Sequence, residues 1–311
     1  MNRGDIRTFL EQAGLGPQHR LGQHFMMDQN ILDQIVTSAK IEAGDLVLEI
    51  GPGPGNLTSR LAAKAAAVLA VELDAALLAA ARQWWRQLNN VHWMQADALS
   101  GKHAINPLVI QTLGKLAVEH QTDRYKLAAN LPYNAASPLV ADLLIHDWHT
   151  RRGDSIQPRL DCLAFTVQWE VAQRMAAPPG NRDYGALGIL IQLLADVTIV
   201  RSIAPGCFWP PPKVRSALVV IRPVQEKMRR IDNLPRIQKM LTSLFSHRRQ
   251  NLANAIRHGC KPQDDRELLA KISSAGFNLK LRPEALAPPE FAALSKILQQ
   301  DTSLQDGRNG L

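Results

Sequence analysis

The stretch Leu46-Val47-Leu48-Glu49-Ile50-Gly51-Pro52-Gly53-Pro54-Gly55-Asn56 decides the fold. Its first five residues make an apolar run of strand length, of the kind that a parallel sheet buries on both faces. Three glycines then turn the chain, and Asn56 is placed to cap the helix that follows. Strand, glycine loop and helix in that order open an α/β fold in which main chain approaches a nucleotide-like ligand and the free N–H groups of the helix start face it. A dinucleotide fingerprint wants another glycine three places after the second, where this chain has Asn56. Pro52 and Pro54 also lack the N–H groups a pyrophosphate would use. A ligand without phosphate fits this loop better.

Working outward, the next strand (67–71) ends in Glu72, the point at which a carboxylate grips a ribose diol in dinucleotide and adenosylmethionine sites alike. A helix over 75–88 and a strand over 91–95 lead to Ala96-Asp97-Ala98. Asp97 is placed to accept from a cofactor's adenine amino group or to cap the next turn. An apolar helix around 107–118 precedes the strand that delivers Asn130-Leu131-Pro132-Tyr133. Functional residues at successive strand ends point to one ligand site, because parallel sheets bind ligands outside their carboxyl ends.

Asn130-Leu131-Pro132-Tyr133 suits an adenine amino group. The exocyclic N6 is a poor nucleophile, its lone pair delocalised into the ring. The Asn side-chain oxygen and a following carbonyl accept its two N–H groups, the Tyr ring holds the base in plane, and Pro132 fixes the turn. The plainer reading is a strand-to-helix turn in which Asn bonds main chain and Tyr packs.

Ser137 and Pro138 mark a helix start over 139–148, followed by a strand over 160–167 and a helix over 168–175. Phe165 is placed either to stack on a base or to pack in the core. The polar loop 177–185 is of a type that closes on substrates. After a helix over 186–194 and a strand over 197–203, the stiff run from Cys207 to Val214 carries three prolines and Lys213, and 217–221 supplies the last strand of the sheet. Helices are expected at 234–245, 249–258, 264–273 and 289–299.

The hydrophobic fraction of 46% and charged fraction of 21% are those of a soluble globular chain. No apolar run approaches the ~20 residues that span a bilayer. Without an apolar signal segment behind Met1, cytoplasmic residence is expected and no membrane partner. Cys162, Cys207 and Cys260 are too scattered to suggest a disulfide framework or a zinc site. Residues 1–200 hold 17 Lys and Arg against 19 Asp and Glu, while residues 201–311 hold 19 against 9. The net charge of +8 therefore arises in the C-terminal third, where His247, Arg248, Arg249 and Arg257 lie close in sequence and suit a phosphate backbone.

Leu-Glu-Ile-Gly-Pro-Gly at 48–53, Val-Glu-Leu-Asp at 71–74, Ala-Asp-Ala at 96–98 and Asn-Leu-Pro-Tyr at 130–133 together resemble the ribosomal RNA adenine dimethyltransferases. Gly22-Gln23 with Phe25, the triple-proline run from Phe208 to Val214, and Phe245 followed by Arg248-Arg249 are similar to the subgroup that dimethylates two adjacent adenosines near the 3′ end of small-subunit RNA. The resemblance covers roughly residues 20–295. It implies a Rossmann-like class I S-adenosylmethionine-dependent methyltransferase domain over 21–225, after a lead-in of 1–20. A small all-α RNA-contacting domain over 226–300 and a disordered tail over 301–311 complete the chain. His24, Met26, Gly51, Gly53, Glu72, Asp97 and Asn130 would bind S-adenosylmethionine, with Asn130, Pro132 and Tyr133 holding the target base. Phe165, Phe208, Lys213, Arg248 and Arg249 would contact RNA. The resemblance further implies direct methyl transfer without a metal, and as partner small-subunit rRNA in an assembling subunit, met by a monomer.

Two departures from the family pattern stand out. His24 and Met26 replace Asn and Leu, and His24 is expected to weaken the cofactor or make its affinity depend on pH. Trp169 replaces Lys, exchanging an ammonium for a stacking surface. Alternatives of other classes are a non-catalytic RNA-binding assembly factor on the same fold, a large-subunit rRNA methyltransferase, and a dinucleotide oxidoreductase.

Overall fold

A computed structural model describes residues 1, 3–18, 23–101, 104–153, 157–260 and 264–300. Gly22 of the leading motif and the tail expected at 301–311 lie outside the described residues. In chain order the elements begin with α1 (Arg3–Gln12), β1 (Phe25–Met26), α2 (Gln29–Ala39), β2 (Leu46–Ile50), α3 (Asn56–Ala62), β3 (Ala67–Glu72), α4 (Ala75–Trp84), β4 (Val91–Gln95), β5 (Leu99–Ser100), β6 (Ala104–Ile105) and α5 (Pro107–Glu119). There follow β7 (Arg124–Asn130), α6 (Tyr133–Arg151), β8 (Arg159–Gln168), α7 (Trp169–Ala176), α8 (Ala186–Leu194), β9 (Ala195–Ile203), β10 (Phe208–Trp209) and β11 (Ser216–Pro223). The chain ends in α9 (Gln225–Arg229), α10 (Leu234–Ser246), α11 (Leu252–Cys260), α12 (Asp265–Ser274) and α13 (Pro288–Gln300).

Contacts divide the chain into two units, Met1–Gln173 with Ala195–Pro223, and Arg174–Leu194 with Val224–Leu311. In the first unit seven of the described strands form one sheet in the order β4-β3-β2-β7-β8-β11-β9. Neighbours from β4 to β8 run parallel, and β11 is antiparallel to both β8 and β9. The strand expected to close the sheet is thus last in sequence but sits between two others in space. Every residue of β2 and β3 is buried, the pattern of a parallel sheet covered on both faces. Strand order reverses between β2 and β7, and that switch point opens a crevice at the carboxyl ends of the strands.

Polar groups inside this unit are tied. Lys126, in the middle of β7, donates from Nζ to the Lys40 carbonyl at 2.6 Å and to Asp45 Oδ2 at 2.7 Å. Asp147 of α6 accepts from Arg151 at 2.7 Å and from the Leu160 amide at 2.8 Å, which pins α6 to the start of β8. Pairing of this kind is what makes a buried charge tolerable.

The second unit is helical. Six residues of α8 are buried, among them Gly188, whose Cβ would meet the Arg174 carbonyl oxygen at 2.3 Å. Tyr184 donates its hydroxyl to the Leu286 carbonyl at 2.8 Å. Arg174–Leu194 lies in sequence within the span 21–225 expected for the first domain, yet makes its contacts with the C-terminal helices. No helix among the described residues is long and apolar enough to cross a membrane.

Three local expectations differ from what is observed. The helix expected to start at Ser137-Pro138 begins at Tyr133 with Pro132 as its cap, so Pro138 lies inside it and withholds an N–H from the Asn134 carbonyl. Asn56 does not cap α3. Gly55 holds that position with φ 86°, and Asn56 is buried, donating from Nδ2 to the Met26 carbonyl at 2.9 Å. Helix α4 stops at Trp84, and Trp85 turns its indole N–H to the Pro54 carbonyl at 2.8 Å.

Candidate active site

A cleft of about 590 Å³ opens at the carboxyl ends of β2, β3, β4 and β7 in the first unit. Gly51 and Gly53 on one side, Glu72 and Asp97 on the next two strand ends, and Asn130, Pro132 and Tyr133 beyond the switch point all line it. The volume lies within the range of small-molecule sites. Apolar wall comes from Ile50, Val71, Leu77 and Leu131.

The glycine loop is shaped by conformations only glycine takes easily. Gly51 has φ 68° and Gly53 φ 56°, and a Cβ on Gly53 would meet the Phe25 ring at 3.0 Å. Glu72 is buried at the end of β3, and its carboxylate accepts from the Gly53 amide at 3.2 Å and the Asp74 amide at 3.1 Å. Burial pushes its pKa up, against the pull of those main-chain donors. Two oxygens so oriented keep lone pairs for a diol, so the residues present fit an adenosine ligand. Asp97 is exposed and accepts from the Leu99 amide at 2.9 Å, so the capping role expected of it is realised while it lines the cleft. Next to the loop, Asn56 Oδ1 is buried without a hydrogen-bond partner, and the Glu49 carboxyl is buried beside the Thr58 hydroxyl. Burial raises Glu49 from its ordinary 4.5 to about 8, against the pull of the Thr58 hydroxyl and with Glu72 nearby adding to the shift.

Asn130 is held at both ends. Its Nδ2 donates to the His24 carbonyl at 2.8 Å, and Thr166 bonds its Oδ1. Tyr133 hydrogen-bonds Ser216 through its hydroxyl at 2.6 Å, and burial raises its pKa, keeping the phenol neutral. The His24 ring lies 5.7 Å from the Tyr133 ring at 31° and bonds the Pro210 carbonyl through Nδ1 at 2.7 Å. A carbonyl only accepts, so Nδ1 carries the hydrogen. What His24 contributes to Asn130 is main chain, which any residue at that position supplies.

The sequence-expected residues do not all meet here. Met26 is buried outside the cleft, paired with Phe208 across β1 and β10. Phe208 is 1% exposed and Phe165 0%, so neither offers a ring face to RNA: both complete the core, as β10 and β8 demand. Lys213, Arg248 and Arg249 are exposed, the last two in the turn between α10 and α11. Arg248 reaches the Arg182 carbonyl at 3.4 Å within the second unit. Trp169 is half-buried and donates its amide to the Arg215 carbonyl at 2.9 Å. Thr166 and Ser216, which tie Asn130 and Tyr133, carry no motif signal, since only strand register brings them there.

Residues 17–299 match the family model described as ribosomal RNA adenine dimethylase. A protein of Magnetococcus marinus named ribosomal RNA small subunit methyltransferase A is 37% identical over 94% of this chain and 95% of its own length. One of the same name from Synechococcus sp. is 35% identical over 93% of this chain and 98% of its own. Among solved structures, a dimethyladenosine transferase from Plasmodium falciparum superposes with TM-score 0.72 at 24% identity, covering 89% of this chain and 98% of that one, a likeness of fold. The 23S rRNA methyltransferase ErmE shares the fold at TM-score 0.63 and 21% identity, over 89% of this chain and all of its own. By its sequence, the chain belongs to the ribosomal RNA adenine dimethylase family.

Proposed function

We propose that this protein transfers methyl groups from S-adenosylmethionine to N6 of two adjacent adenosines near the 3′ end of small-subunit ribosomal RNA, giving N6,N6-dimethyladenosine. One observation carries the reading: the strand ends suited to an adenosine cofactor and the Asn130-Leu131-Pro132-Tyr133 turn line a single cleft. Donor and acceptor thus share one volume, and alignment alone contributes several kcal/mol.

Gly51, Gly53, Glu72 and Asp97 would hold the cofactor, Glu72 at the ribose hydroxyls. When bound, its sulfonium supplies an already activated methyl group. Everything else is alignment. Asn130 Oδ1 has a lone pair left after Thr166 and accepts an N6 hydrogen, the Leu131 carbonyl accepts the second, and the Tyr133 ring, braced by Ser216, stacks on the base drawn out of its RNA. Exposed Lys213, Arg248 and Arg249 contact RNA phosphates. The protein works as a cytoplasmic monomer on RNA in an assembling subunit.

Asn130 uses only the main chain of His24, so replacement of the family's Asn there leaves that contact in place. Calorimetric titration separates the classes. Saturable binding of S-adenosylmethionine that Glu72→Ala weakens is expected. RNA binding without any cofactor binding would favour the assembly factor.

A further inference from the structure

We propose that Thr166 is a positioning residue for methyl transfer, its hydroxyl holding the Asn130 carboxamide in the orientation that offers an acceptor to the target amino group. The inference rests on the reading of Asn130 as the group that receives adenine N6. Thr166 lies directly opposite Asn130 in the parallel pairing of β7 and β8 and is 0% exposed. Around it, Leu163, Ala164, Phe165 and Val167 are buried and apolar, so its hydroxyl is a polar exception in a run where Val would pack as well. A buried hydroxyl needs a partner, and here the partner is Asn130 Oδ1.

The direction of that bond follows from the other end of the amide. The His24 carbonyl accepts only, so the atom facing it at 2.8 Å is the amide nitrogen. Asn130 Oδ1 therefore faces Thr166, and the hydroxyl is the donor. Rotated by half a turn, the carboxamide would set N–H groups against the N–H groups of the adenine and close the acceptor site. His24 and Thr166 both oppose that rotation, but from different supports. His24 leads into the two-residue β1, whereas β8 is paired on both sides inside the seven-stranded sheet. Thr166 keeps the amide aimed through any movement of the segment at His24, and its donation leaves Oδ1 one lone pair for the substrate.

Thr166→Val removes the donor at nearly constant volume, and Thr166→Ser keeps it. Steady-state kinetics on small subunits lacking the methyl groups should show kcat lowered about tenfold in the Val variant, with KM for both substrates within about twofold, as for an interaction made in the transition state. The Ser variant should recover kcat to within about threefold. Hydrogen exchange of the Asn130 side-chain amide, followed by NMR on the full chain, should quicken in Val and not in Ser. Wild-type kcat in the Val variant, or equal losses in Val and Ser, would overturn the proposal. Should the wild-type protein transfer no methyl at all, the functional reading fails instead. The amide exchange then still decides about Thr166, and unchanged exchange in the Val variant overturns its positioning role.

Discussion

Replacing Glu49 by Gln is expected to remove an instability that grows with pH. Glu49 is 1% exposed on β2, two residues before Gly51 and beside the Thr58 hydroxyl, and burial raises its pKa from 4.5 to about 8. A group whose folded pKa lies above its unfolded one favours the folded state fully below the unfolded value and loses that contribution as pH rises through the folded value. Between pH 4.5 and about 8 the folded chain keeps a proton that the unfolded chain has released. Stability should then fall by about 1.4 kcal/mol per pH unit, or about 5 kcal/mol across the window, and level off above it. Gln carries no proton to lose. The assay is urea denaturation of both proteins from pH 5 to 9, read by tryptophan fluorescence. Trp84, Trp85, Trp93, Trp148, Trp169 and Trp209 all lie in the first unit, so the signal reports that unit without the helical one. Ionisable groups other than Glu72, whose charge couples to Glu49, cancel in the difference between the two proteins. A difference that stays constant with pH would refute the burial argument.

Three further outcomes follow from the same coordinates. Asn130→Ala should lower methyl transfer by two orders of magnitude or more, roughly the scale of lost alignment, while filter-binding shows RNA affinity kept; unchanged turnover would remove the turn from the mechanism. Lys126→Met leaves Asp45 buried without its ammonium and should cost about 3–5 kcal/mol in urea unfolding, a loss under about 1 kcal/mol counting against the pair. Arg248 and Arg249 changed together to Ala should lower the slope of log affinity against log salt by roughly 1 to 2, as phosphate contacts do, and an unchanged slope would place RNA on a different face.

How much was legible depended on whether the cause was local. Strand ends were readable because hydrophobic runs and punctuating glycines are local signals, and Gly51, Glu72, Asp97 and Asn130 do line one cleft. The apolar, bounded run at 186–194 predicts a helix, and α8 spans those residues. The misreadings share a non-local cause. Asn56 looks like a cap, but its amide donates instead to the main-chain carbonyls of Met26, thirty residues earlier, and of Met1. Phe208 follows a turn and looks free to stack on RNA, until its pairing with Met26 buries it. Ser137-Pro138 carries the local signature of a helix start, yet the helix is set by Pro132, five residues before Ser137. Thr166 and Ser216 became visible only when register put β8 and β11 beside β7 and its turn.

Nucleoside mass spectrometry on small ribosomal subunits that lack these methyl groups, after incubation with the protein and S-adenosylmethionine, reads the reaction and its substrate together. N6,N6-dimethyladenosine should appear at two adjacent positions near the 3′ end of the small-subunit RNA, and be absent with Asn130→Ala. New methyl groups confined to large-subunit RNA, or none on either RNA while the protein still binds them, would contradict the proposed function.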